Sequence, residues 1–136
     1  MSDANPPVER PLSPHLQIFR PIITMTMSIL HRITGAGLYL GSLLLAWWLM
    51  AAALGPNAFA TAQSFMASAI GRLILLGFTW ALMHHMLGGI RHLIWDTGRA
   101  FERAEREWLA RASLYGAIVL TLALWGLAYL VLGGVR

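Results

Sequence analysis

Cysteine and lysine are both absent from the 136-residue sequence, and charged residues make up only 12% of it. Without cysteine, the chain cannot form disulfides, thiolate zinc sites or an iron–sulfur cluster held by its own residues. The net charge of +4 comes from arginines, which stand at the ends of apolar runs rather than on one basic face. This distribution argues against nucleic-acid binding. Redox chemistry in this chain would therefore need haem, quinone or the cluster of a partner.

Hydrophobic residues make up 57% of the sequence, which is typical of membrane proteins rather than soluble domains. Three stretches carry no formal charge, and they are bounded by Arg32, Arg72, Arg91, Arg111 and Arg136. Each stretch is long enough, or nearly so, to cross a bilayer as a helix of roughly 20 residues. We therefore predict an all-α integral membrane protein with three transmembrane helices, over about residues 24–53, 65–95 and 112–132.

The segments outside these helices differ from one another in composition. Prolines recur through residues 1–22, where they prevent a continuous helix, and no apolar core of a secretory signal peptide is present. We predict a tail and surface segment over residues 1–22 and a three-helix transmembrane domain over residues 23–136. Pro56 and Asn57 are predicted to open an uncharged loop. Residues 96–111 are predicted to form a charged connector that is partly helical.

Arginines are distributed unequally between the two predicted sides of the membrane. Three lie at or before the start of the first helix, five lie in or beside the connector, and two lie on the opposite side. Because positive charge favours the cytoplasmic side, the N-terminus and the connector are predicted to be cytoplasmic. In a bacterium, this orientation corresponds to the inner membrane with a periplasmic C-terminus.

The second predicted helix contains an unusual group of histidines and glycines. His85, Gly88, Gly89 and His92 share one helical face. Imidazole is a haem-iron ligand, and two glycines would remove side chains that otherwise keep a flat macrocycle off the helix. His85 lies about 10 Å deeper than His92. At that depth an unpaired polar side chain is costly and usually functional.

Two questions about this group stay open from the residues alone. His84 precedes His85 but points about 100° away on a helix, and its face is less suited to a flat ligand, so the pattern favours His85. Either histidine could instead be structural, with a hydrogen bond to a backbone carbonyl. The residues predicted at the depth of His85 are Leu38 or Tyr39 on the first helix and Thr121 or Leu122 on the third, and none of them is a histidine or a methionine. A second iron ligand is therefore predicted to come from another polypeptide.

A second polar group is predicted at the start of the first helix. Ser28 and Arg32 lie one turn apart, with His31 beside them. A hydroxyl and a guanidinium are suitable donors for the two carbonyl oxygens of a quinone. The alternative is that Ser28 caps the helix and Arg32 reaches lipid head groups. Asp96 could relay protons to such a site, or it could pair with Arg99.

Three ordered motifs connect these observations to a known family. They are R-P-L-S-P-H-L from Arg10, S-I-L-H-R-I-T-G from Ser28 and H-M-L-G-G-I-R-H-L-I-W-D from His85. Together they span nearly the whole chain, which resembles the cytochrome b556 subunits of succinate dehydrogenase, the membrane anchors of respiratory complex II. The resemblance implies electron transport linked to the tricarboxylic acid cycle. It also implies one half of a two-chain anchor bundle, which holds an iron–sulfur subunit and a flavoprotein subunit that oxidises succinate.

The resemblance also implies roles for particular residues. Haem b is expected between the two anchors, with His85 as one axial ligand and a histidine of the second anchor as the other. Haem propionates are expected near His31, Arg32 and His92. Ubiquinone contacts are expected at Ser28, Arg32 and Asp96. The alternative functions are a haemless quinone-binding anchor and a non-redox membrane scaffold or half-transporter.

Overall fold

The computed structural model describes Leu16 and residues 18–133, apart from the side chain of Leu132. Four helices make up most of this part: α1 (Ile23–Leu54), α2 (Pro56–Ala67), α3 (Ala69–Asp96) and α4 (Arg103–Leu132). The described residues contain no strand, so the predicted all-α class is confirmed. Helices α1, α3 and α4 are long and apolar enough to cross a membrane, which confirms three spans. The predicted tail lies mostly outside the described residues.

The segment after Gly55 is helical, so the predicted loop is wrong. Gly55 has a φ of +117°, a conformation that glycine adopts without strain, and it allows the chain to turn sharply out of α1. Pro56 then occupies the first turn of α2, where its missing N–H costs nothing. Nε1 of Trp48 donates to Oε1 of Gln63 at 3.2 Å, which fixes α2 against α1. Proline and asparagine therefore mark a helix start here, before an alanine-rich run.

The predicted connector becomes helical at Arg103, which confirms that it is helical in part. The side chains of Glu102 and Glu105 form a reciprocal capping box at the start of α4. Glu107 then pairs with Arg103 at 3.1 Å and with Arg111 at 3.2 Å. Both arginines are exposed and Glu107 is half-buried, so this part of the connector is a solvated face on which one acid pairs with two arginines.

Small residues set the distance between the three long helices. Ala81 of α3 is buried, as are Ala110 and Ala117 of α4, so the backbones approach closely in the manner of packed membrane helices. On α1, the ring of Phe78 from α3 packs against Gly41, where a Cβ would collide with it. Gly37 lies one turn before Gly41, in the G-x-x-x-G spacing that allows membrane helices to approach closely, but it faces open space. Of these two glycines, only Gly41 therefore serves packing among the described residues.

Consecutive long helices run in opposite directions, so α3 is antiparallel to both α1 and α4. Between α3 and α4, Nε1 of Trp125 donates to the hydroxyl of Thr79 at 3.3 Å, and Arg91 reaches Ser113 near the other end. Between α1 and α3, His31 contacts His85. The start of α1, the end of α3 and the start of α4 therefore lie at one end of the bundle. The candidate site residues lie at that end.

Candidate functional site

Two histidines meet where the N-terminal half of α1 packs on the C-terminal half of α3. The rings of His31 and His85 are stacked, with centroids 3.9 Å apart and planes inclined by 8°. Nδ1 of His85 lies 3.2 Å from the backbone oxygen of His31. Because a carbonyl oxygen only accepts hydrogen bonds, Nδ1 carries the proton. The free lone pair of the neutral ring is therefore on Nε2, which makes no hydrogen bond to any described residue.

Glycines on both helices make room for this stack. A Cβ on Gly35 would lie 3.0 Å from Cε1 of His85, and a Cβ on Gly88 would collide with the ring of His31. Gly88 therefore accommodates an imidazole of the same chain, which corrects the prediction that it leaves a gap for a macrocycle. A Cβ on Gly89 would meet nothing within 4 Å. Of the two predicted glycines, only Gly89 leaves the surface of α3 open to a flat ligand.

The register between α1 and α3 differs from the predicted one by about one turn. His85 lies beside His31 and Gly35, not beside Leu38 or Tyr39. The prediction placed His31 and His92 at equal depth, whereas the glycines allow His31 to pack deeper along α3. Gly35, the residue of α1 that lies beside His85, has no side chain to bind iron. A second iron ligand is therefore still expected from another chain.

His31 cannot complete an iron site with His85, although their rings touch. An imidazole nitrogen binds a metal along its lone pair, which lies in the plane of the ring. In two parallel stacked rings the lone pairs run side by side and do not converge on one point.

His84 and His85 have very different surroundings. His84 has 0% exposure, and its ring centroid lies 5.4 Å from that of Trp80. Neither of its ring nitrogens has a hydrogen-bond partner among the described residues. His85 is only partly buried. A ligand to a group shared with another chain must reach the surface of its own chain, so this geometry favours His85.

Arg91 is a buried charged residue whose partner the sequence did not indicate. It is 4% exposed, and its NH1 donates to the hydroxyl of Ser113 on α4 at 2.9 Å. Its guanidinium carbon lies 5.4 Å from the centroid of the Trp95 ring, close enough for a cation–π interaction. Arg91 thus joins α3 to α4 inside the bundle, although its neighbour His92 is exposed. The seven-residue spacing from His84 was the one signal that it shares the buried face.

The remaining predicted site residues lie on exposed surface near this end. The ring of His92 lies 5.6 Å from that of His31, so the structure brings three of the predicted residues together. Ser28, Arg32 and Asp96 are exposed, and no hydrogen bond or ion pair joins them within the described part of the chain. Ser28 lies inside α1, whose N-cap is Ile22, so the capping alternative is wrong.

Asp96 is the last residue of α3, and the geometry around it excludes one predicted alternative. The ion pairs among described residues join Glu107 to Arg103 and Arg111, and none of them joins Asp96 to Arg99. The carboxylate of Asp96 is exposed. It is therefore available to a ligand or to another chain.

Comparison with known proteins identifies similar membrane subunits. Residues 6–128 match the family described as succinate dehydrogenase/fumarate reductase transmembrane subunit. The "Succinate dehydrogenase cytochrome b556 subunit" of Paracoccus denitrificans is 44% identical over 111 residues, covering 82% of this chain and 85% of the relative. The protein of the same name from Rickettsia typhi is 37% identical, covering 86% and 91%. The "Succinate dehydrogenase cytochrome b560 subunit" of Reclinomonas americana is 36% identical, covering 87% and 85%.

Proposed function

Because the chain belongs to the succinate dehydrogenase/fumarate reductase transmembrane subunit family, we propose that it holds haem b through His85 in a membrane complex that reduces ubiquinone. The relatives confirm the prediction of a membrane subunit of succinate dehydrogenase. The haem ligand, the quinone contacts and the named partner subunits are the further steps of the proposal.

The hydrogen bond between His85 and His31 is the observation that carries the haem assignment. Histidines that bind metals usually donate the other ring N–H to a carbonyl or carboxylate, which fixes the tautomer and the ring orientation. In His85, Nδ1 donates to the backbone of His31 at 3.2 Å, so Nε2 is left to bind iron. Gly89 opens the neighbouring surface of α3 to a flat ring. Bound haem supplies a one-electron carrier whose potential depends on its axial ligands.

A second anchor subunit is proposed to supply the other axial histidine. The stacked geometry of His31 and His85 keeps their lone pairs apart, so this chain supplies one ligand. Purified without that partner, the chain is not expected to show the spectrum of a six-coordinate low-spin haem. Succinate oxidation is assigned to a flavoprotein subunit, and electron delivery is assigned to an iron–sulfur subunit. The exposed apolar surface of α1 fits contact with lipid and with a second anchor.

The polar residues at the same end of the bundle suit the haem propionates. His31 and His92 have ring centroids 5.6 Å apart beside the ligand, and Arg32 follows His31 on α1. Arginine donates two parallel hydrogen bonds to a carboxylate, and histidine donates one. We assign these three residues to the propionate side of the haem.

Ser28, Arg32 and Asp96 are proposed to serve ubiquinone. The hydroxyl of Ser28 makes no hydrogen bond to a described residue, whereas that of Thr34 donates to the carbonyl of Leu30 at 2.9 Å. Ser28 is therefore free to donate to a quinone carbonyl, and exposed Arg32 lies one turn away on the same face. The exposed carboxylate of Asp96 can take up protons from water and relay them to the quinone as it is reduced.

The end of the bundle that carries these residues is proposed to face the cytoplasm. The start of α1, the end of α3 and the start of α4 lie at this end, and most of the arginines belong to these segments. Positive charge of this kind favours the cytoplasmic side of the inner membrane. The C-terminus then lies on the periplasmic side.

A pyridine haemochrome assay on the purified complex tests the ligand assignment. His85→Ala is expected to remove nearly all haem while the complex still assembles. Leu73→Ala is the control, because Leu73 is an exposed residue of the same helix at the end far from the histidines and should leave the haem content unchanged. Unchanged haem content in His85→Ala would refute the assignment. Loss of haem in His84→Ala, with retention in His85→Ala, would assign the iron to the buried neighbour.

A further inference from the structure

Arg72 is an isolated cation at the end of the bundle opposite the histidines. It is the only charged residue between Arg32 and Arg91 in the sequence, and it is exposed near the start of α3. Nineteen residues separate it from Arg91, which corresponds to roughly 28 Å of helix. This length is close to the hydrocarbon thickness of a bilayer, roughly 30 Å. Arg72 therefore lies at the head-group level of the leaflet opposite the histidine end.

An open cavity of about 480 Å³ extends from Arg72 between α3 and α4. Its walls are mostly apolar, and they are formed by Leu75, Thr79, Leu124, Trp125, Ala128, Tyr129 and Gly133. Deep in the cavity, Nε1 of Trp125 already donates to the hydroxyl of Thr79 at 3.3 Å. These two polar groups of the lining thus bond to each other, and the free donors for a ligand with a polar head are the guanidinium of Arg72 at the mouth and the hydroxyl of Tyr129.

We propose that Arg72 and this cavity bind one phospholipid of the leaflet opposite the histidines. Its phosphate contacts the guanidinium of Arg72, and one acyl chain lies along the cavity towards Leu124. The seven residues from Arg72 to Thr79 cover about 10 Å of helix, enough for the first part of an acyl chain. The site is separate from the proposed haem and quinone contacts, so it holds or fails independently of them.

Charge and aromatic content both favour a phospholipid as the occupant. Among the described residues, Arg72 has no ion pair, and the cavity has no acidic residue in its walls. Phosphate is the anion available at this depth, and the planar guanidinium binds two of its oxygens at once. Tyr129, whose ring lies 6.1 Å from that of Trp125, is of a residue type enriched at the membrane interface.

Photolabelling of the intact complex tests the proposal. Phosphatidylglycerol with a diazirine in one acyl chain is incorporated into membranes that contain the complex, and labelled peptides are mapped by mass spectrometry. We expect label in residues 72–79 and 124–133 of the wild type, and its loss in Arg72→Gln. Arg99→Gln is the matched control, since Arg99 is an exposed arginine at the other end and should retain the label.

A second variant separates lost binding from lost folding. Ala128→Phe fills the cavity without altering the charge of Arg72, and it should also abolish the label. Haem content and succinate oxidation measured on the same samples report whether the complex is intact. Equal labelling of the wild type and Arg72→Gln overturns the proposal. Absence of label in the wild type also overturns it, because the cavity would then be covered by another subunit.

Discussion

The backbone carbonyl of His31 accepts a hydrogen bond from Nδ1 of His85 across the boundary between α1 and α3, at 3.2 Å. The same two residues stack their rings 3.9 Å apart. One residue of α1 therefore fixes both the tautomer and the tilt of the proposed iron ligand on α3. This arrangement depends on the absence of a side chain at Gly88, where a Cβ would collide with the ring of His31.

Gly88→Ala is expected to destabilise the chain by about 1–3 kcal/mol, because the added methyl group overpacks a filled interface. Gly37→Ala is the matched control, since a Cβ at Gly37 meets nothing within 4 Å. Unfolding of the purified complex by SDS in mixed micelles, followed by circular dichroism, measures both variants. Equal stability of the two variants would contradict the close contact between Gly88 and His31.

Ser113→Ala is expected to cost about 1–3 kcal/mol, because it leaves the buried guanidinium of Arg91 without its hydrogen bond to α4. The same SDS titration reports this change. Ser42→Ala removes a serine on the exposed surface of α1 and should change the free energy of unfolding much less. If the two variants lost the same stability, the contact between Arg91 and Ser113 would not be holding α3 against α4.

Ala100→Gly is expected to stabilise the chain by about 1 kcal/mol, because Ala100 has a φ of +61°, where glycine avoids the strain of a Cβ. The carbonyl of Ala100 accepts a hydrogen bond from Nε1 of Trp95 at 3.1 Å, which holds the turn in place. Ala112→Gly, inside α4, should instead destabilise the chain by about 1 kcal/mol. Thermal unfolding of the two variants should therefore shift in opposite directions.

Arg32→Ala is expected to lower succinate-dependent ubiquinone reduction more than succinate oxidation with an artificial acceptor. The reason is that the exposed guanidinium is proposed to bind the quinone, while the dicarboxylate chemistry lies in other subunits. Arg99→Ala, an exposed arginine of the connector, serves as the control. Equal losses of both activities in Arg32→Ala would indicate failed assembly and not a quinone contact.

The sequence predicts the coarse architecture well because charge and hydropathy determine which segments cross a bilayer. Charge-free stretches located the three long helices, and the 100° turn between consecutive residues separated His84 from His85. The depth of a residue in the membrane, counted along its own helix, predicts less well which residues of the adjacent helix it contacts. This count placed Leu38 beside His85, whereas the packing of the histidine rings against Gly35 and Gly88 shifts the register between α1 and α3 by about one turn.

Two other features of the structure, the start of α2 and the contact between Arg91 and Ser113, could not be predicted from sequence patterns. Pro56 and Asn57 are turn formers, and nothing in their local chemistry distinguishes a loop from a helix start. The pairing of Arg91 with Ser113 depends on how α4 is rotated about its axis, and an apolar segment with one serine near its start does not reveal that rotation.

The contact between His31 and His85 lies entirely within one polypeptide, which bears on the order of assembly. The ring that is proposed to bind iron is oriented by the packing of α1 against α3, which needs no second subunit. Association with the proposed second anchor then does not have to shape this face of the chain. Substitutions in the partner should accordingly change how strongly the cofactor is retained, while leaving the orientation of the imidazole on this chain unaltered.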